Sequence, residues 1–394
     1  MTRAMVYDAV RLPRGQVRRE GGSLAGIRPH ALFGQLLTAL DERSLDPSIV
    51  DEIVLGVSTV SGEQAGNIAR ASALAVGWPD TVGGTVVSRL CCSGIEALAT
   101  AAAKVVAGQA GVLVAGGVES MSRVPLLSDD PAIATDQDLG ESTGFVTIGV
   151  SADATAAAYG ITRDALDSWA VESHHRALKA SPSDAVVPAR SGDDVLLTAD
   201  EGARPEATVE QFAALPALFG DDAGWGRVQR RIPTLERPSA GLHSIATAPQ
   251  LADGASAAVI AHPSAASRLG CRPVAEIVAV SHRAVRSPLL DAPIDAARDA
   301  LRRAGIEARD LDTVEANESF AVSPLLMMRE FDLDPRCVNP TGGALAVGHP
   351  LGATGGNLLV TALDTLRRVD GEHALVTIPA ALGLGSALVL RRLE

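Results

Sequence analysis

The stretch ALDERSLDPSIVDEIV at residues 39–54 recurs, loosely but without a gap, as ALRRAGIEARDLDTVE at residues 300–315. Leu40 lies against Leu301, 261 positions further on. Each copy reads as the end of a helix, a polar loop holding Leu45 or Ile306, then an aspartate and an apolar strand. The spacing returns downstream. Gly94 and Gly355 each open a helical stretch, again 261 apart, and Val112-Leu113-Val114 lies against Ala374-Leu375-Val376 at 262. Three matches in one order indicate a duplicated unit. Strands alternating with helical patterns make each unit α/β, with strands buried on both faces. The halves are expected over 1–120 and 256–394. Between them, 121–255 is rich in Asp, Pro, Gly and Ser, and is expected to hold an inserted loop domain and the return to the N-terminal half. Its one clear helix is capped at Thr162, carries Asp164 in its first turn and runs to His174-His175.

The bulk numbers exclude several classes. At 394 residues, 47% hydrophobic and 21% charged, the chain is globular and long enough for two or three cores. A net charge of -13 argues against nucleic acid or an anionic membrane as the main partner. Four cysteines make no disulfide framework and have no metal-ligand spacing. No metal or organic cofactor is expected, and a cytoplasmic location is the simplest. Residues 337–363 carry no Asp, Glu, Lys or Arg, yet hold six glycines and two prolines. That composition reads as buried loop plus helix and not as a membrane span.

Two residues carry candidate chemistry. Cys91 stands between the β-branched run Thr85-Val86-Val87 and the helix opening at Ser93-Gly94. Unpaired N–H groups at a helix start favour thiolate, the nucleophilic form. The alternative is a small buried hydrophobe. His349 sits in Gly342-Gly343-Ala344-Leu345-Ala346-Val347-Gly348-His349-Pro350-Leu351-Gly352. Glycines let a backbone approach a ligand closely, and Pro350 restricts the histidine. Such an imidazole can take a thiol proton or steady an oxyanion. Asn317 follows a strand, where its amide can hold a water or carbonyl oxygen, or simply form a turn.

Leu90-Cys91-Cys92-Ser93-Gly94, Gly116-Gly117-Val118-Glu119-Ser120-Met121-Ser122, Asn317-Glu318-Ser319-Phe320 and Gly342–Gly352 together resemble the thiolases, in order and spacing. The resemblance runs through essentially the whole chain. It implies a five-layer fold of two βαβαβαββ halves about a pseudo-twofold axis, with a loop domain inserted. It implies an acyltransferase that cleaves 3-oxoacyl-CoA with CoA, or runs the reverse condensation, with CoA as substrate. Cys91 would become acylated, His349 would activate it, and Asn317 would hold the water of a first oxyanion hole. The Cys91 N–H and one from the 379–383 loop, where Ala381 and Gly383 lie, would form a second. Arg204 would meet CoA phosphates, with Thr147 and Pro249 bordering the substrate. A homodimer or tetramer is implied, with a β-oxidation partner subunit also open.

The pattern breaks at one place. Where thiolases of this kind carry a second catalytic cysteine followed by glycines, this chain has Pro379-Ala380-Ala381-Leu382-Gly383. Proline has no proton to move. Ala381 and Leu382 are expected to narrow the site and bar positive φ. Ser319 offers a hydroxyl nearby, but a weak base. Three functions stay open: a thiolase, an acyl-CoA thioesterase or other acyltransferase without efficient carbon–carbon chemistry, and a non-catalytic acyl-CoA-binding subunit.

Overall fold

The computed structural model describes residues 3–286 and 288–393. Its strands are β1 (Ala4–Arg11), β2 (Gly15–Gln16), β3 (Glu52–Gly56), β4 (Gly83–Val87), β5 (Val112–Ser120), β6 (Ala189–Ser191), β7 (Asp194–Leu197), β8 (Ala252–Ala261), β9 (Ala275–Ala284), β10 (Thr313–Ala316), β11 (His373–Ala380) and β12 (Leu384–Arg392). One path orders nine of them, β4-β3-β5-β8-β1-β9-β12-β11-β10; β2 pairs with β8, and β6 and β7 form a separate two-stranded sheet. β1 and β9 join the halves by antiparallel pairing at Ala4↔Ile277, Met5↔Glu276 and Val6↔Ala275. Outward from that seam the halves mirror one another: β8 answers β12, β5 answers β11 and β3 answers β10. The parallel pair β3/β5 is outermost but one in the first half, and the parallel pair β10/β11 is outermost in the second. Beyond β10, where β4 has its counterpart, only the parallel bridge Val314↔Val338 forms. The duplication is therefore real in three dimensions. Residue 256, expected to open the C-terminal half, lies inside β8, between β5 and β1 of the N-terminal half.

Three apolar clusters separate five layers. Helices α1 (Pro29–Glu42) and α2 (Ile68–Ala75) cover the outer face of the first half, where Leu36, Leu37, Ile53 and Val114 meet. On the far side lie Leu326 and Met327 of a C-terminal helix (Val322–Phe331) with Leu375 and Val389. The middle layer is α3 (Ser93–Val106), packed with a long helix (Leu351–Val369) through Ile95, Leu98, Leu359 and Leu363. In the insertion, Ile148–Ala158 is α4 and Arg163–Lys179 is α5; Thr162 caps α5 by accepting from Ala165 N. With Val322–Phe331 as α6 and Leu351–Val369 as α7, the site-bearing helices are complete. No helix of the described residues is long and apolar enough to cross a membrane.

The duplicated glycines explain the middle layer. A Cβ on Gly94 would lie 2.8 Å from Gly352 O and from Gly355 N; one on Gly355 would lie 2.3 Å from Ile95 N. The first turns of α3 and α7 therefore touch backbone to backbone, which only glycine permits. Gly355→Ala is expected to cost about 1–3 kcal/mol by overpacking, read as a lower urea midpoint at unchanged m-value. An unchanged midpoint would refute this close approach.

Candidate active site

The approach of α3 to α7 sets the site, because Cys91 and His349 each stand one residue before an N-cap: Cys92 for α3 and Pro350 for α7. The turn holding Cys91 is strained. Leu90 has φ 51°, in the left-handed region. Ser93 Oγ donates to Leu90 O at 2.6 Å and accepts from Arg89 N at 2.9 Å, fixing that turn. Cys92 Sγ donates to Ile378 O at 3.2 Å, tying the residue after Cys91 to the residue before Pro379.

The expectation of a helix-stabilised thiolate is corrected. Cys91 is buried, and burial pushes its thiol up, with Cys92 and Glu119 adding to the rise and its own N–H opposing it. Cys91 stands outside the helix, and the nearby Cys92 and Ser93 N–H groups already donate to Arg89 O and Leu90 O. The resting state is a thiol.

His349 is buried too. Burial, with the Arg14 charge second, lowers it to about 3, so the imidazole is neutral. Thr354 Oγ1 donates to Pro350 O at 3.0 Å, so its bond to His349 Nδ1 at 2.7 Å is one it accepts. The proton is thereby assigned to Nδ1, leaving Nε2 unprotonated, an acceptor that can act as a base. Nε2 lies 3.4 Å from Asn317 Nδ2. Asn317 Nδ2 donates to Ser319 Oγ at 2.7 Å, and Ser319 donates to Pro379 O at 3.2 Å. His349, Asn317, Ser319 and Pro379 thus form one buried polar chain at the ends of β10 and β11. Asn317 and Pro379 also line one small cavity with Thr377 and Ser323. Cys91 makes no hydrogen bond to the His349 ring among the described residues.

Three supports went unseen in the sequence. Gln250 Nε2 donates to Leu345 O at 2.9 Å and Ala346 O at 3.0 Å, while its carbonyl accepts from His349 N at 2.9 Å. Glu318 binds Trp169 Nε1 and Ser173 Oγ, each at 2.8 Å, and Leu345 N at 3.0 Å. Glu119 accepts from Ser58 N and Gly352 N, each at 2.8 Å, joining the two halves. All three are long-range partners, which periodicity does not reveal.

The remaining candidates divide. Pro249 precedes Gln250, whose backbone carbonyl accepts from His349 N. Thr147 is exposed at the start of α4 and bonds Asp222 Oδ2 at 3.4 Å. Arg204 is exposed; its N–H donates to His174 Nδ1 at 3.1 Å, and its guanidinium joins no hydrogen bond or ion pair among the described residues. Neither Thr147 nor Arg204 is bonded to the catalytic chain. Ala381 is half-buried, and Gly383 is buried with φ 66°. The expectation that Leu382 bars positive φ is overturned: it adopts φ 63°, ψ 23°. The turn between β11 and β12 imposes that geometry, and leucine bears the strain, about 1–2 kcal/mol. Leu382→Gly is expected to stabilise by about 0.5–1 kcal/mol, after glycine's own entropic cost. A urea melt showing a loss above about 1 kcal/mol would mean that Leu382 packing outweighs the strain.

Known proteins place this arrangement. A family model described as the thiolase N-terminal domain matches residues 4–228, and one for the thiolase C-terminal domain matches 271–392. The chain is 34% identical to a beta-ketoadipyl-CoA thiolase of Escherichia coli, with 100% of each chain covered. It is 35% identical to a steroid 3-ketoacyl-CoA thiolase of Mycobacterium tuberculosis, covering 100% of this chain and 95% of that one. The crystal structure of the Bacillus anthracis acetyl-CoA acetyltransferase superposes with a TM-score of 0.85 at 31% identity, covering 100% and 99%. The chain belongs to the thiolase family.

Proposed function

We propose that this chain is an acyl-CoA acyltransferase of thiolase type working through an acyl-Cys91 intermediate. What supports the reading is the buried His349, with Nδ1 held by Thr354 and Nε2 beside Asn317, at the start of the helix whose first turn meets that of α3. With a 3-oxoacyl-CoA bound, the Cys91 proton passes to His349 Nε2 as sulfur adds to the 3-carbonyl carbon. Breaking the C2–C3 bond leaves a shortened acyl group on sulfur and an acetyl-CoA enolate. That enolate takes its proton from the His349 imidazolium. CoA then gives its thiol proton to His349, attacks the acyl thioester and releases Cys91, which recovers that proton. Buried amide and backbone donors steady the oxyanions. CoA is a substrate here, and no metal or organic cofactor enters the scheme. The half-buried, unpaired edge of β4 is the face on which a second copy would add.

Pro379 favours a second reading, an acyltransferase or thioesterase weak in carbon–carbon chemistry. Nothing at Pro379 can protonate the enolate, so one imidazole serves both steps. Mass spectrometry after incubation with acyl-CoA tests the common core. A thioester adduct on Cys91, absent in Cys91→Ala, is the expected result. No adduct on Cys91 and no acyl transfer would overturn both readings and leave a binding subunit.

A further inference from the structure

Behind the glycine-rich segment carrying His349 lies a second cavity, of about 530 Å³. Arg14 and Glu315 form its buried part, Val347 and Thr361 its walls, and exposed Arg368 its rim. Arg14 is 5% exposed and Glu315 1%. Arg14 Nε and Glu315 Oε1 are sealed from solvent without a partner, and neither head group joins a hydrogen bond or ion pair among the described residues. The other charges on the wall are committed. Asp200 is bound by Arg11 at 2.6 Å, and Asp364 lies 3.2 Å from Arg367 and also bonds Ser183. Burial pushes Glu315 up to about 8, the Arg14 charge only partly offsetting it. At neutral pH it is an acid with a proton to donate. The Asp200 carboxylate steadies the Arg14 charge through space, yet no anion among the described residues bonds the buried guanidinium, which is costly unless something supplies one.

We propose that this cavity binds a small organic carboxylate, clamped between the Arg14 guanidinium and the Glu315 carboxyl. The guanidinium offers two parallel N–H donors, matched to a carboxylate, and the protonated Glu315 adds an O–H. Unpaired Arg368 draws the anion to the mouth. Glu315 lies in β10 and Asn317 just past its end, two residues further on, so their Cα atoms are at most about 7 Å apart. The carboxylate therefore comes either from a free dicarboxylate or from the far end of an acyl group on Cys91. The second source rests on the acyl-transfer function proposed above.

Two arms test this on the full chain. In thermal unfolding, adipate at saturating excess is expected to raise the midpoint by about 2 °C or more, and inorganic phosphate to leave it unchanged. Arg14→Met is expected to fold with an equal or higher ligand-free midpoint, since an uncompensated buried charge is gone, and to lose the adipate shift. In mass spectrometry, adipyl-CoA is expected to acylate Cys91 about 10-fold faster than hexanoyl-CoA if the acyl end is the source, a preference lost in Arg14→Met. An adipate shift without that preference identifies the free ligand as the source. No shift together with no preference, an adipate shift surviving Arg14→Met, or an equal response to phosphate overturns the site. Acylation by hexanoyl-CoA reports separately on the proposed function, so the two can fail independently.

Discussion

Pro379→Cys is expected to raise the rate of 3-oxoacyl-CoA thiolysis by roughly 10²-fold, at the lower end of what a positioned acid or base contributes. The position is prepared for it. Residue 379 lines the small cavity that Asn317 also lines, and its carbonyl already accepts from Ser319. A thiol there can deliver the α-carbon proton, which otherwise falls to His349 alone. Across the sheet, residue 379 pairs with Gly385 of β12. The selective readout is the ratio of two rates: acetyl-CoA release from a 3-oxoacyl-CoA, and acylation of Cys91 by a simple acyl-CoA. Only the first is expected to rise. Equal gains in both, or no gain in either, would mean that the missing proton carrier is not what limits carbon–carbon cleavage.

His349→Ala is expected to slow Cys91 acylation by about 10²–10⁴-fold. The thiol is pushed up by burial and needs a base within the attack itself, because no preformed thiolate exists to fall back on. The pH profile carries the sign. His349 is lowered to about 3 and Cys91 is pushed up, so the wild-type acylation rate is expected to show no acid limb near pH 6.5 and no alkaline rise near the ordinary thiol range. A limb near 6.5 would mean that substrate-free burial does not govern the imidazole. Stability follows the same linkage. A histidine whose folded value lies below its ordinary value of 6.5 stabilises the neutral side, and that contribution is lost as pH falls from 6.5 towards 3.

The outline of the fold was readable because it rests on local pattern. The strand–helix alternation and the spacing of Gly94 and Gly355 survive in a single sequence, since burial of a middle layer demands both. Cys91, His349 and Asn317 were legible as reactive types set in glycine-rich or helix-opening contexts. What was missed depends on contacts between distant segments. The state of Cys91 depends on how deeply α3 is covered, and its helix-start position alone suggested the opposite. Thr354, which assigns the imidazole proton, looks like any helical threonine. Gln250 holds a loop 95 residues away in the chain. Leu382 shows that a leucine can occupy a glycine's geometry when both flanking strands are fixed, which no propensity forecasts.

The glycine crossing also bears on how this architecture can change. Sulfur and imidazole are carried by different copies of the ancestral unit, and the glycine contacts between α3 and α7 space them. The reactive gap thus belongs to the seam and to neither copy. Any variant that widens one helix start drags base and nucleophile apart in a single stroke, while loops farther out stay free to diversify around an unchanged hinge of reactivity.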